Sequence, residues 1–345
     1  MKPIENMKKI PLFFFVFCIL CCSCSNKEKT TIEELNLHGD VKSIKTSIYH
    51  AEVKFGELQT GELVSHWYDY PLYFFYLPPY LFGGHSSISV RMFTKSGMIE
   101  SLTEYDDEMD LEKKFIYTHQ GCKINSMKEY DEDGDLTTAY EWQYDKKIDK
   151  LLYFIEYDKK GSLVETTEYK YDPKTNELLE EKTTDGENTE IRRTVYVRKE
   201  DDEKIYWIKY INGDKYSKGS YKEEYLRGKV VKITYYDEHG TVVDIYDYDK
   251  HGRIILRKEE SAKNQTAFSY NKNGDVIMLD ENNKGVCKFE YDKHNNWIKR
   301  IPLDENNKDV YKFEYEYDKH KNWIKRVTYK GIKPVFVEIR EIEYY

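Results

Sequence analysis

The stretch Tyr130-Asp131-Glu132-Asp133-Gly134-Asp135-Leu136 decides how this chain folds. Asp suits the first position of a type I turn, and Gly at the fourth supplies the left-handed conformation that closes a three-residue hairpin loop with a bulge. In that geometry the Tyr and the aliphatic residue six places on meet across the bend on one side of the sheet, a contact that contributes about 0.2–1 kcal/mol. The frame recurs at Tyr157 to Leu163, Tyr236 to Val242 and Tyr248 to Ile254. Altered copies stand at Tyr270, Tyr291, Tyr317 and Phe93, the last with Gly97 in place. Each copy predicts an aromatic–aliphatic clasp at the end of a hairpin.

Distances between copies predict the topology. Asp131, Asp145, Asp158 and Asp172 are 14, 13 and 14 apart, while Asp249, Asn271, Asp292 and Asp318 are 22, 21 and 26 apart. The shorter spacing is one strand plus one turn; the longer is a whole hairpin whose other end uses a different turn, such as Glu281 to Gly285. Residues 281–300 and 305–326 are near duplicates that differ by the pair Tyr315-Glu316. An insertion of two keeps every side chain on its face of a strand, which supports strand over helix. Tyr140, Trp142, Tyr144 and Phe313, Tyr315, Tyr317 alternate with polar residues, so one face reads as aromatic and the other as charged. Turn signals at Asp185-Gly186, Asn212-Gly213 and Arg227-Gly228 continue the pattern.

Composition agrees. Among 345 residues there are 33 Tyr and 15 Phe against four Ala, a balance that favours strands. Roughly two dozen short strands exceed what a flat open sheet tolerates. The expected fold is therefore all-β: a long antiparallel meander of repeated hairpins in a curled or spiral sheet, with a β-propeller as the alternative. The repeat resembles the YD repeat of the Rhs and teneurin proteins over roughly residues 90–330, and its Tyr-Asp-Lys-His-Asn-Asn-Trp form resembles short-hairpin repeat lipoproteins of Gram-negative bacteria. Asn295 and Lys321 replace the turn Gly, and the copies at Tyr144 and Tyr171 are one residue longer. The chain is far shorter than an Rhs shell, so that family's encapsulating role is not carried over.

Residues 1–23 read as a secretory leader: three lysines within Met1 to Lys9, then an apolar run from Ile10 to Cys22. The run is shorter than the roughly 20 apolar residues a spanning helix needs. The leader resembles a bacterial lipoprotein signal, which implies that Cys24 becomes the lipidated N-terminus, with Cys21 and Cys22 as competing positions. Residues 24–40 then form a tether and short N-terminal segment, with Thr31-Ile32-Glu33-Glu34 able to cap a brief helix. Residues 41–345 form one repeat domain. Removing residues 1–23 takes three lysines and one glutamate, and the formal net charge moves from -9 to -11. An acidic surface without a basic block disfavours nucleic acid as a partner.

Candidate chemistry is sparse. Cys18 and Cys21 have C-x-x-C spacing, but they sit in an apolar leader without a second pair, so no metal or other cofactor is expected. Cys122 and Cys287 lie in strand-like runs and read as small buried thiols. His239, His251, His294 and His320 all fall third after the repeat Tyr, at a solvated turn tip. Asp131 to Asp135 resembles a calcium loop, yet its Gly is fourth where an EF-hand needs it sixth. Asp106-Asp107-Glu108 reads as exposed loop charge. Trp142, Trp207, Trp297 and Trp323 read as clasp residues before sugar platforms.

The segment 67–84 is the most unusual. Its prolines exclude it from a central strand, and its apolar content is too high for a solvated loop. It reads as a cap over the open end of the sheet or, more sharply, as an aromatic binding surface made by Trp67, Tyr70, Tyr73, Phe74, Phe75, Tyr76, Tyr80 and Phe82. The functional expectation is a non-enzymatic envelope lipoprotein of the outer membrane, periplasmic or surface-facing. It would be held to the membrane by its N-terminal lipid anchor and would bind a protein or glycan, or act as a scaffold. A glycan-acting hydrolase and an immunity or antitoxin-like protein binder are the alternatives.

Overall fold

A computed structural model describes residues 30–64, 87–200, 205–211, 220–226, 229–237, 239, 241–250, 252–260, 264–270, 276–279, 285–293, 296–302 and 310–345. One helix, α1 (Thr31–Glu34), and 23 strands are present among them. The strands are β1 (Val41–Lys54), β2 (Glu57–Leu63), β3 (Ile88–Phe93), β4 (Ile99–Tyr105), β5 (Leu111–Gln120), β6 (Lys123–Tyr130), β7 (Leu136–Tyr144), β8 (Leu151–Asp158), β9 (Leu163–Tyr171) and β10 (Leu178–Asp185). β11 to β20 run between Glu190 and Pro302, followed by β21 (Tyr311–Tyr317), β22 (Trp323–Lys330) and β23 (Lys333–Tyr344).

All 23 strands belong to one antiparallel sheet, a meander rather than the separate blades of a propeller. From β3 to β23 every strand pairs with its sequence neighbours. The ends of the meander meet on β1. Its residues Val41 to His50 pair with Tyr344 to Phe336 of β23, and Ser43 to Ser47 also pair with Met92 to Ile88 of β3. β2 lies beyond β3 along the same side of β1, with Tyr49 opposite Leu63.

Every predicted clasp takes its register: Phe93 opposite Ile99, Tyr130 opposite Leu136, Tyr157 opposite Leu163, Tyr236 opposite Val242, Tyr248 opposite Ile254 and Tyr317 opposite Trp323. At the Tyr130 copy, Asp131 N–H donates to Asp135 O at 3.0 Å and Gly134 N–H to Asp131 O at 3.0 Å. The Asp131 carboxylate also accepts from the amides of Asp133 and Asp135 at 3.2 and 2.9 Å, so the Asp satisfies donors that the turn would otherwise strand. Lys321 takes the turn Gly's place with φ at 71°, a left-handed conformation that is costly for a side chain.

Two sequence readings need correction. Asp106-Asp107-Glu108 is more than loop charge: Tyr105 pairs with Leu111 and Met109 takes φ 72°, so the stretch is a full copy whose missing Gly conceals it. Cys122 is an exposed free thiol in the turn between β5 and β6, not a buried strand residue.

Because strands alternate in direction, clasps fall at both ends of the sheet. α1 marks one of them, here the capped end. The N-cap Thr30 and Glu33 form a reciprocal capping box. Ile32 N–H donates to Gly97 O at 3.0 Å, and Thr31 Oγ1 accepts from Ile99 N–H at 3.1 Å. Ile32 and Leu37 thereby join a buried cluster with Val41, Ile44, Phe93, Leu102, Trp142 and Phe154. The short N-terminal segment is the cap, and it covers the clasps of the first strands. The face that carries this cluster is called the core face below.

Candidate functional site at the capped end

Tyrosines of neighbouring copies bond to one another's turns around the capped end. Tyr144 OH donates to Ile124 O at 3.1 Å, Tyr171 OH to Leu151 O at 2.8 Å and Tyr270 OH to Ile254 O at 2.8 Å. In the two near-duplicate copies the acceptor changes. Tyr317 OH donates to the Asp292 carboxylate and accepts from Asn296 Nδ2 at 3.0 Å; Tyr344 OH donates to Asp318 and accepts from Asn322 Nδ2 at 2.8 Å. Asn322 also grips the cap, accepting from His38 N–H at 2.8 Å and donating to His38 O at 2.7 Å. Tyr345 OH reaches Phe93 O at 2.5 Å, so the last two residues tie the final copy to the first.

Tyr317 and Tyr344 have raised phenol pKa values. Burial and then the bond to Asp318 push Tyr344 up to about 12, and burial and then Asp292 push Tyr317 higher still. His320 is not the solvated tip that its position predicts: it is half-buried, with its ring stacked 4.2 Å from that of Tyr344. His239 is exposed, while His251 and His294 lie outside the described residues.

The core face is not simply aromatic. Tyr140, Trp142 and Phe154 do stack there, with ring centroids 5.4–6.3 Å apart. Toward β1, however, the same face carries ions. Glu338 stands opposite Arg326 and accepts from its Nη2 at 2.5 Å; Arg340 stands opposite Thr46, and Arg91 opposite Ile44. Burial depresses the Arg91 pKa, with Glu104 acting against it. Alternation in the sequence marks these positions as facing one way, but nothing in a lone Arg says that its way is inward. A recess of about 30 Å³ lies among the cap, Trp323 and Arg340, and another of about 150 Å³ beside Lys123, Tyr144 and Asp149. Both are smaller than the roughly 300–1,000 Å³ of small-molecule sites. Among the described residues no group of three His, Cys, Asp or Glu could hold a metal ion.

Cys24 and the aromatic set Trp67, Tyr70, Tyr73, Phe74, Phe75, Tyr76, Tyr80 and Phe82 lie outside the described residues. The flanks of the segment are described: Val64 N–H donates to Ile48 O at 3.0 Å and Ile48 N–H to Ser87 O at 3.1 Å, so both flanks are held at Ile48 of β1. Trp142 is a core residue in mid-strand, 1% exposed, whereas Trp323 is a clasp. The side chains of Trp207 and Trp297 lie outside the described residues. What sequence reading missed is the Tyr–Asp–Asn bonding; its signal is the Asn before Trp in the two near-duplicate copies.

No family model matches the chain, and no curated protein does. Among solved structures it is similar to a porin-like protein from Bacteroides uniformis, at 9% identity over 89% of this chain and 98% of that one, with a TM-score of 0.26. It is also similar to TcdB2-TccC3-TEV, at 12% identity over 72% of this chain, with a TM-score of 0.23. TcdB2-TccC3 matches at 13% identity over 71% of this chain, also with a TM-score of 0.23. The matched parts are 18% and 19% of those two chains. Likenesses this weak say nothing about what this chain binds.

Proposed function

We propose that this is a membrane-tethered envelope lipoprotein with YD-type hairpin repeats, which binds a protein or glycan without catalysis through its repeat β surface. The observation that carries this reading is where the chain enters the fold. Thr31 and Ile32 dock on the Gly97 turn at the capped end, and five residues separate Cys24 from the N-cap Thr30. An extended link of that length spans about 20 Å at most. A lipid on Cys24 therefore holds the capped end toward the bilayer and turns the opposite rim outward, where Phe55 and Ile332 stand fully exposed on turn tips. Several acyl chains suffice for such an anchor.

Labelling with a palmitate analogue tests the tether. The wild-type protein should take up label and sediment with membranes, and Cys24→Ser should do neither while folding normally. Label retained by Cys24→Ser would reject Cys24 as the anchor, and soluble, unlabelled wild-type protein would reject the lipoprotein reading. Cross-linking in the envelope to a protein or glycan partner tests the binding half.

A further inference from the structure

We propose that the recess between the cap and the Trp323 clasp is a binding site for one compact monovalent anion, of the carboxylate or halide kind, held by Arg340. The recess is lined by Arg340, Lys321, His38, Asn296, Asn322 and Trp323 together with cap residues 35–37, none of them acidic. Its volume of about 30 Å³ admits a chloride or a carboxylate head.

Arg340 carries the inference. Its guanidinium lies 3.4 Å from the centroid of the Trp323 ring and makes no hydrogen bond or ion pair among the described residues. Its Nε is closed off from water and lacks a partner. A guanidinium offers five N–H donors, and leaving them unanswered in a half-buried site is costly. The surrounding charges do not answer them. Arg326 and Arg91 are cations, and the Glu338 carboxylate is engaged by Arg326 at 2.5 Å. Burial pulls the Arg340 pKa down to about 9; Glu338 opposes this, while Arg326 and Arg91 add to it. An anion in the recess would favour the charged form of Arg340 and accept from the guanidinium N–H groups that line it.

The full chain tests this in a sulfate buffer free of chloride, with acetate or chloride exchanged in at constant ionic strength while the thermal midpoint and Trp fluorescence are read. The proposal predicts a saturable rise of several degrees, with a fluorescence change from the Arg340-stacked Trp323, for at least one of the two anions. Response to chloride alone identifies a halide site, and response to acetate identifies a carboxylate site. Arg340→Met should abolish both signals. Should that variant fail to fold, Arg340→Lys serves, with an expected loss of at least fivefold in anion affinity. No saturable response in the wild type, or an unchanged response in the variant, would overturn the proposal.

Discussion

Tyr317 shows how one hydroxyl extends a local motif into contact between copies. Its ring closes its own hairpin against Trp323, while its OH bonds the Asp292 that shapes the preceding turn. A hydrogen bond to a charged acceptor contributes about 1.5–3 kcal/mol. Tyr317→Phe keeps the clasp and should lower the unfolding free energy in urea by about 1–2 kcal/mol. Tyr329→Phe breaks the exposed bond to Glu314, 3.0 Å long, and should change it by less than about 0.5 kcal/mol. Equal losses would show that the bond between copies contributes nothing special. The ring's role was legible from the six-residue spacing alone. The hydroxyl's partner was not, because it lies 25 residues away and depends on how consecutive hairpins stack side by side.

At the scale of the element, period and parity revealed most. The paired spacings near 14 and near 22 residues correctly separate turns at alternate ends from turns at one end, and the two-residue insertion preserves facing as strands require. The copy from Tyr105 to Leu111 escaped because a left-handed Met leaves no mark in sequence. The hairpins also set a pH profile. Backbone N–H bonds at the turns hold Asp145, Asp158, Asp172 and Asp237 below the usual carboxylate range. A depressed acid contributes stability that is present above its unfolded pKa, about 3.9, and is lost as pH falls through the folded value. Burial, first, raises Tyr171, Tyr317 and Tyr344, so their neutral forms contribute stability present below about 10 and lost as pH climbs through the raised values. Burial holds His119 below its ordinary value, so stability also declines as pH falls below about 6.5, and the urea midpoint should vary little only between about pH 7 and 9, fall toward acid and fall again above 10. A decline already under way at pH 8 would contradict this.

For the molecule as a whole, the decisive feature is the seam on β1, which sequence reading could not see. Val41 pairs with Tyr344, some 300 residues away, and no periodicity reports a contact between the two ends of a chain. What was legible is the consequence of strand number: so many strands must curl, and a curl brings ends together. The cap then covers the clasps beside that seam. Asn322 holds His38, and Tyr345 reaches Phe93, so α1, the last hairpin and the first are fastened to one another. A lipid on Cys24 would pull on this junction, the part of the fold where most elements converge.

Amide hydrogen exchange along β1 tests the seam most directly. Successive amides of a strand point to opposite sides, so a strand paired on one edge alone protects every second amide. Ser43 to Ser47 are paired with β3 on one side and β23 on the other. The structure predicts slow exchange at every amide from Ser43 to Ser47; alternating fast and slow exchange there would show that β1 is an edge strand and that the two ends of the meander do not meet.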